Sequence, residues 1–286
     1  MNRFSNSLEV MAVAAAMMGS VAHSIEVTPS TSASTLATAL VGGGGSGVIV
    51  TGSSLDANSG GGNGPSSGTY SNASGTYGIG PGIILSTGQA AHYGDGPNTV
   101  TNKTTAYNPS ANAAQEALLD PITGGSYHHR DPTQFDMTFN MLPGYASVTF
   151  SVVFGSEEFG NRVGTSFVDG FGLYLNGVNI AFVGGLPVTI NHPGFAAMAG
   201  TELDGVLKSG GSPVLLFAGP VSPTGNTVTF IIADASDANV DSTVYISLLS
   251  GAAQPPPTTA IPEPSTLGFA GIGLAVGLLL HWHLKK

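Results

Sequence analysis

An acidic loop in the last quarter of the chain holds the residue types best suited to chemistry. Asp234, Asp237 and Asp241 fall in one short stretch between two predicted strands, and Asp169 and Glu157 also lie at predicted strand ends. Ca²⁺ takes about 6–8 oxygen ligands gathered from loops of this kind. The spacing is not that of an EF-hand, because no Glu follows at the twelfth position. These residues are therefore predicted to bind a structural Ca²⁺ ion.

A second interpretation of the same acids stays open. Aspartates often cap turns by accepting hydrogen bonds from nearby backbone N–H groups, without any metal. Electrostatics favours the ion, because carboxylates in one short loop repel one another unless a cation or hydrogen-bond donors compensate. Few basic residues stand between the two ends of the chain, and none of them belongs to this loop: Lys103, Arg130, Arg162 and Lys208.

Other residues that could do chemistry give weaker signals. Glu157 and Glu158 could form a carboxylate pair for glycoside hydrolysis, but adjacent strand residues point to opposite faces. The sequence His128-His129-Arg130 could bind a metal or an anion, yet it stands in a Gly/Ser-rich stretch and is predicted to be a solvated loop. Ser86 lacks the Gly-x-Ser-x-Gly context of a serine hydrolase. No catalytic residue is predicted.

Composition excludes several classes of protein. The 286 residues include no Cys, which excludes disulfides, thiolate metal sites and thiol nucleophiles. The formal net charge is −10 and no basic run lies inside the chain, which argues against a nucleic-acid partner. The chain has 42 Gly and 18 Pro, which disfavours a bundle of long helices. Since 42% of the residues are hydrophobic, a packed core is expected.

The first 24 residues are typical of a secretory signal peptide. Arg3 is the basic residue of the leading region, and an apolar run over residues 10–18 precedes small residues. Cleavage after Ala22 or Ser24 would leave a mature chain that begins at His23 or Ile25 and contains the exported domain, residues 25–254. A domain of this size can bury a substantial core.

The C-terminal end is predicted to be a sorting signal. A Pro-rich spacer occupies residues 255–265, and residues 266–286 combine an apolar run with a basic tail. A helix of this length just reaches across the roughly 30 Å of a bilayer core. With Pro262-Glu263-Pro264 ahead of it, this end resembles the PEP-CTERM signal of Gram-negative bacteria. The resemblance implies processing by an exosortase, transient anchoring in the inner membrane, and then a cell-surface or extracellular location.

Between these ends the sequence pattern indicates a mostly β domain. Alternation of apolar and polar residues with period two is typical of half-buried strands. It predicts strands at residues 134–141, 147–154, 171–175, 178–183, 227–232 and 242–248. Many short strands joined by regular turns favour a single β-sandwich of jelly-roll type.

Turn and cap residues refine this prediction. Asn176-Gly177 predicts a type I′ hairpin turn. Short helices are predicted at residues 34–40 and 112–119, the second opening with a capping box. The Gly-rich stretches 42–47 and 59–68 are predicted to be a flexible turn and a mobile surface loop.

A set of motifs in the exported part points to a known family. The most specific motif ends in Ser156-Glu157-Glu158-Phe159. Further motifs stand at residues 36–40, 82–88, 166–172, 179–181, 187–191, 232–237 and 241–242. Over residues 33–250 the chain resembles the choice-of-anchor L domain, a bacterial surface domain found joined to various C-terminal anchors. The resemblance implies attachment to the cell surface, and it implies no mechanism.

The sequence predicts an exported cell-surface or extracellular-matrix protein with a structural or adhesive role, not an enzyme. A Ca²⁺-dependent carbohydrate-binding module is an alternative, with exopolysaccharide or surface glycans as partners. For that role, Tyr70, Tyr77, Tyr93 and Tyr107 could supply an aromatic platform, although the exported part has no Trp. An exopolysaccharide hydrolase is a third hypothesis, and it would need a facing pair of acids in a cleft.

Overall fold

The computed structural model describes residues 25–42, 45–125 and 127–253. Within this part, no helix is long and apolar enough to cross a membrane. Several predictions lie outside the described residues: the signal peptide (1–24), the spacer (255–265) with its Pro262-Glu263-Pro264 motif, and the membrane helix with its basic tail (266–286).

Strands dominate the described residues. The strands are β1 (Ile25–Pro29), β2 (Val48–Asp56), β3 (Ser67–Asn72), β4 (Gly82–Ser86), β5 (Asp95–Gly96), β6 (His129–Met141), β7 (Tyr145–Ser156), β8 (Gly170–Leu175), β9 (Val178–Asn179), β10 (Phe182–Val183), β11 (Leu186–Thr189), β12 (Phe195–Ala196), β13 (Gly200–Thr201), β14 (Gly205–Leu207), β15 (Leu215–Pro220), β16 (Asn226–Ala235) and β17 (Ser242–Ala253). The helices are α1 (Ala33–Val41) and α2 (Ala113–Thr123). The domain is mostly β, as the alternating pattern predicted.

The strands form two large sheets and one small pair. The first sheet has the order β1-β3-β4-β17-β7-β14-β12, and β15 also pairs with β7. The second sheet has the order β10-β11-β8-β16-β6-β2, and β9 also pairs with β8. The small pair joins β5 and β13. Strand β16 runs antiparallel to both β6 and β8, so its end lies beside their starts.

The core lies between the two large sheets. Phe230 of β16 stacks on Phe135 of β6 with 6.2 Å between ring centroids, and Phe150 of β7 meets Phe230 edge-on at 5.7 Å. All three rings are fully buried. Because Phe150 belongs to the first sheet and the other two rings belong to the second, the sheets face each other across these residues. This arrangement agrees with the predicted sandwich, and its finer jelly-roll type stays a prediction.

Both helices begin and end at capping residues. The side chain of Ser32 accepts a hydrogen bond from Thr35 N at the start of α1, and Gly42 ends this helix with a φ of 54°. At the start of α2, Asn112 Oδ1 accepts from Gln115 N, and Gln115 Oε1 accepts from Asn112 N at 2.9 Å. The predicted capping box is confirmed.

Two turn predictions have different outcomes. The Asn176-Gly177 turn is confirmed by φ values of 51° and 80°, which a type I′ turn requires. The prediction of a mobile surface loop at residues 59–68 is wrong in its last part, because residues 66–68 are buried and β3 starts there. Gly68 permits this packing, since a Cβ there would lie 2.6 Å from the Thr28 carbonyl oxygen of β1.

Candidate functional site

A group of acidic side chains gathers at one end of the sandwich, and we call it the acidic centre. Its members are Asp131, Glu157, Glu158, Asp169, Asp234 and Asp241. Each of these residues is at most 1% exposed. The order of the strands explains the gathering, because the ends of β7 and β16 lie beside the starts of β6, β8 and β17. Residues far apart in the sequence therefore meet at one place.

Asp169 connects the two sheets through Ser242. Ser242 Oγ lies 2.7 Å from Asp169 Oδ2 and 2.9 Å from Ser156 Oγ. The other carboxylate oxygen, Asp169 Oδ1, accepts a hydrogen bond from Ala235 N at 3.0 Å. Asp169 immediately precedes β8 of the second sheet, whereas Ser156 and Ser242 belong to the first sheet. These contacts therefore close this end of the sandwich.

Asp241 is fixed by hydrogen bonds from several parts of the chain. Its Oδ2 accepts from the Tyr93 hydroxyl at 3.0 Å, and its Oδ1 accepts from Thr105 N at 2.8 Å. Gly88 leaves room for this carboxylate, because a Cβ there would lie 1.7 Å from Asp241 Oδ2. The Asp241 carbonyl accepts from Glu157 N at 3.0 Å, so the end of β7 meets the chain just before β17.

A stretch between β5 and α2, residues 98–109, lies against the acidic centre, and we call it the cover segment. Several of its backbone N–H groups donate to carboxylates. The bonds run from Thr99 to Glu202 Oε2 (2.7 Å), from Lys103 to Glu157 Oε2 (3.3 Å), from Thr105 to Asp241 Oδ1 (2.8 Å) and from Tyr107 to Asp131 Oδ2 (2.9 Å). Glu157, Asp241 and Asp131 thus receive neutral donors rather than a full positive charge. Sequence reasoning missed the cover segment, because it has no periodic pattern.

Some carboxylate oxygens of the acidic centre have no hydrogen-bond partner among the described residues. They are Asp131 Oδ1, Glu157 Oε1, Glu158 Oε2 and both oxygens of Asp234. The nearby Thr87 hydroxyl opposes the rise in the pKa of Asp234, but it completes no hydrogen bond with either oxygen. A buried polar atom without a partner costs free energy. Asp234 therefore needs either a proton or a cation.

Burial raises the pKa of these carboxyl groups. Desolvation raises the pKa of Asp241 to about 6, that of Asp169 to about 7, that of Glu157 to about 9 and that of Glu158 to about 10. Burial also raises the pKa of Asp234 well above its usual range, and the charges of Asp169 and Asp241 add to that rise. The folded protein thus disfavours the ionised form of each group.

Basic side chains compensate little of this charge. Lys103 Nζ lies 3.6 Å from Glu202 Oε1, beside the centre. The Arg162 guanidinium lies 4.4 Å from the centre of the Phe167 ring, and it only partly opposes the raised pKa of Glu158. Over residues 25–42, 45–125 and 127–253, no carboxylate of the acidic centre forms an ion pair with Lys or Arg.

Asp237, one of the predicted ligands, lies at the edge of this group. It is half-buried, and its Oδ1 accepts a hydrogen bond from Asn239 N at 3.1 Å, as a turn cap does. Its charge still contributes to the raised pKa of Glu158 and of Asp169. Asp237 thus caps a turn, as the second interpretation of the acidic loop expects, whereas Asp234 has no hydrogen-bond partner among the described residues.

The backbone around the acidic centre is strained. Asp131, Ser236 and Val240 have φ values of 48°, 78° and 66°. This left-handed region is unfavourable for residues other than glycine, and most of all for a β-branched residue such as Val240. Such strain persists only where the surrounding structure enforces it, and it is common at functional sites.

Glu157 and Glu158 meet different neighbours. Glu157 Oε2 accepts from Lys103 N of the cover segment, while the charges of Asp169 and Asp237 act on Glu158. Such a difference is expected of adjacent residues at the end of a strand. The side chains of Glu157 and Glu158 therefore have different surroundings.

The prediction of a solvated loop at residues 128–130 is wrong for His129 and Arg130, which both belong to β6. Strand β6 begins at His129, and the His129 side chain is fully buried. His129 Nδ1 lies 2.5 Å from Glu116 Oε2 of α2. The sequence did not reveal this contact, because the partner comes from a helix that the pattern placed separately. His128 is exposed, as expected of a loop residue.

The tyrosines considered for a sugar-binding platform are mostly internal. Tyr70, Tyr77 and Tyr93 are buried, and Tyr107 is half-buried. Tyr70 and Tyr77 pack against Tyr245, with ring centroids 5.4 and 6.0 Å apart. Buried rings cannot stack on a carbohydrate, so Tyr70, Tyr77 and Tyr93 do not form the platform.

The Ser156-Glu157-Glu158-Phe159 motif contributes to the site through each of its parts. Ser156 contacts Ser242, and the two glutamates belong to the acidic centre. The Phe159 ring stacks on Phe195 with 5.8 Å between centroids. The motif therefore places its acids directly after the last residue of β7.

Comparison with protein-family models matches residues 26–194 to the choice-of-anchor L domain. The matched stretch is longer than half of the chain and includes the Ser156-Glu157-Glu158-Phe159 motif, but it ends before Asp234 and Asp241. No curated protein and no solved structure matches the chain. A choice-of-anchor domain indicates a surface-associated protein. The chain belongs to the choice-of-anchor L domain family.

Proposed function

We propose that this chain is an exported structural or adhesive protein of the cell surface or extracellular matrix, and that Ca²⁺ in the acidic centre stabilises its sandwich. One observation carries the Ca²⁺ part of this proposal. Both carboxylate oxygens of Asp234 are buried without a partner among the described residues, and nearby charges on Asp169 and Asp241 disfavour its ionisation. A divalent cation would satisfy these oxygens and compensate the charge.

The available donors fit Ca²⁺. Asp234 would supply its two oxygens, and Asp131 Oδ1 is another unpartnered donor. Asp169 and Asp241 act electrostatically on Asp234, so they are further candidate ligands. All of these donors are carboxylate oxygens, which Ca²⁺ prefers, and the chain has no thiol to favour a softer metal.

Two predicted ligands take outer positions in this proposal. Glu157 has one oxygen on Lys103 N and one unpartnered oxygen, so it would hold the cover segment near the ion. Asp237 caps its own turn, so it would contribute mainly negative charge at the rim. The ligand set therefore centres on Asp234 rather than on Asp237.

We assign the ion a structural role and no role in catalysis. The acidic centre is at most 1% exposed, and the cover segment bonds to three of its carboxylates. A polysaccharide would not reach such a site. The carbohydrate-binding alternative also lacks an exposed platform from Tyr70, Tyr77 and Tyr93, and burial of Glu157 and Glu158 disfavours the hydrolase alternative.

The two ends of the chain supply export and sorting in this proposal. Residues 1–24 would direct export across the inner membrane, and residues 266–286 would hold the precursor there. An exosortase would then cut near Pro262-Glu263-Pro264, leaving the domain at the cell surface or outside the cell. Family membership supports a surface location. Exopolysaccharide or surface glycans are the proposed partners in the matrix.

Mass spectrometry of the native surface form tests the sorting proposal. The mature chain should begin near His23 or Ile25 and end near Pro264. A variant with Glu263→Gln and Pro264→Ala should stay in the membrane fraction and keep its C-terminal peptide. Recovery of a peptide containing Trp282 from the unaltered surface form would contradict cleavage at this motif.

A matrix pull-down with the surface form tests the adhesive role. Enrichment of this form on exopolysaccharide from the same cells would support the role. Recovery no greater than that of an unrelated exported domain would contradict it, whatever the result of the processing experiment.

A further inference from the structure

A second group of metal-ligating side chains lies where α2 packs against β6, and none of them belongs to the acidic centre. Glu116 and Asp120 stand one turn apart on α2, and His129 is the first residue of β6. One ligand atom from each residue lies within 4.8 Å of the other two. His129 is buried, Glu116 is half-buried and Asp120 is exposed. The group therefore runs from the interior to the surface.

Hydrogen bonds around Thr123 orient the His129 ring. Thr123 Oγ1 lies 3.3 Å from the Leu119 carbonyl oxygen and 3.2 Å from His129 Nε2. The tautomer of the ring decides whether Thr123 or Nε2 donates in the second contact. When Nε2 carries the hydrogen and Thr123 donates to Leu119, Nδ1 is the nitrogen able to bind a cation.

His129 Nδ1 faces a carboxylate. It lies 2.5 Å from Glu116 Oε2, which is the separation of a short hydrogen bond with a proton between the two atoms. A metal ion bound to both atoms would replace that proton and would move the two atoms apart. The pair alone needs only the proton, so the case for a metal ion depends on the third residue of the group.

Asp120 adds a charge that one proton does not compensate. Glu116 and Asp120 are four residues apart on one helix, and like charges at this spacing repel each other. In the described part of the chain, neither carboxylate forms an ion pair with Lys or Arg, and Asp120 forms none at all. A divalent ion compensates both carboxylates, whereas a single proton compensates one.

We propose that Glu116, Asp120 and His129 bind a divalent transition-metal ion such as Zn²⁺, through His129 Nδ1 and one oxygen of each carboxylate. An imidazole nitrogen with carboxylate oxygens is a donor set typical of Zn²⁺. The hydrogen bond between His129 Nε2 and Thr123 is the kind that orients a metal-bound histidine. Because Asp120 is exposed, solvent can reach the bound ion and occupy a further coordination position. The ion would connect α2 to β6.

Titration calorimetry of the untagged full chain with Zn²⁺ tests the proposal, with millimolar Ca²⁺ present throughout. We expect one Zn²⁺ per chain. Asp120→Asn is the main variant, because an exposed side chain can be changed without disturbing the fold. Loss of a residue that only supports a metal ligand weakens metal binding by roughly 10- to 100-fold. Loss of Asp120, as a ligand, should weaken Zn²⁺ binding by more than that. Glu116→Gln should act in the same way.

The matched control is His128→Gln, which removes an exposed imidazole one residue from His129 and should leave Zn²⁺ affinity unchanged. Visible absorption of the Co²⁺-loaded chain provides a second readout, since the bands should disappear with Asp120→Asn and persist with His128→Gln. Absence of Zn²⁺ binding, equal binding by Asp120→Asn and the unaltered chain, or a loss confined to His128→Gln would each overturn the proposal.

Discussion

The hydroxyl of Ser242 lies 2.7 Å from Oδ2 of Asp169, and the two residues belong to opposite sides of the sandwich. Ser242 begins β17 in the first sheet, and Asp169 directly precedes β8 in the second. Both residues are buried. The contact therefore makes the acidic centre part of the join between the sheets, so changes in its charge should appear as changes in the stability of the domain.

Loss of the Ser242 hydroxyl should destabilise the domain. Ser242→Ala leaves Asp169 Oδ2 and Ser156 Oγ without this neighbour. An unsatisfied buried acceptor costs about 1–3 kcal/mol. Urea denaturation should show that loss, while Ser59→Ala, in an exposed turn, should change the free energy of unfolding by less than about 0.5 kcal/mol. Equal midpoints for the two variants would show that the contact contributes nothing.

A methyl group at Gly88 should disrupt the position of Asp241. The Cβ of Gly88→Ala would lie 1.7 Å from Asp241 Oδ2, so one of the two must move. Overpacking of this kind costs about 1–3 kcal/mol, and the stabilisation by Ca²⁺ should weaken with it. Gly64→Ala is the matched control, because its Cβ meets only the flexible Gln89 side chain at 3.3 Å. Thermal melting with and without Ca²⁺ should separate the two variants.

Asp234→Asn removes the negative charge of this side chain and keeps its shape. The amide removes the buried charge, so the variant should be at least as stable as the unaltered chain in metal-free buffer. It should also lose most of the stabilisation by Ca²⁺, because a central ligand is missing. Glu26→Gln, at an exposed carboxylate of β1, should behave like the unaltered chain. A full Ca²⁺ response in Asp234→Asn would exclude Asp234 as a ligand.

The raised pKa values predict how stability depends on pH without metal. An unfolded carboxyl group has a pKa near 4, whereas the folded values are about 7 for Asp169 and about 9 for Glu157. Between these limits the folded state binds more protons than the unfolded state, so stability falls as pH rises. Melting in metal-free buffer should occur at a lower temperature at pH 8 than at pH 5. A melting temperature that stays constant or rises would show that these groups ionise freely.

The strands that could be predicted are those with one polar face. In β6, Phe135, Met137 and Phe139 are buried while the residues between them are more exposed, so period two appears in the sequence. The end of β7 from Val152 to Ser156 is buried on both faces, and its extent could not be read from alternation. Apolar and polar residues alternate in a strand only where one face of the strand is buried and the other is exposed. A strand that is buried on both faces shows no alternation.

The candidate site could be predicted in part for a similar reason. Asp169, Asp234 and Asp241 stand at strand ends, and strand ends can be located from the apolar pattern. Asp131 was missed because β6 begins before its alternating part, at His129. The hydrogen bonds of the cover segment depend on tertiary position alone, which no local pattern records.

Thermal melting of the full chain with millimolar Ca²⁺ and in metal-free buffer, at pH 8, tests the central claim most directly. A ligand that binds only the folded state stabilises it by about 2.7 kcal/mol at 100 times its dissociation constant, or about 5–10 °C for a domain of this size. We expect a rise of this order with Ca²⁺ and little rise with Asp234→Asn. Identical melting curves with and without Ca²⁺ would contradict the claim and would leave the acids as protonated or turn-capping groups.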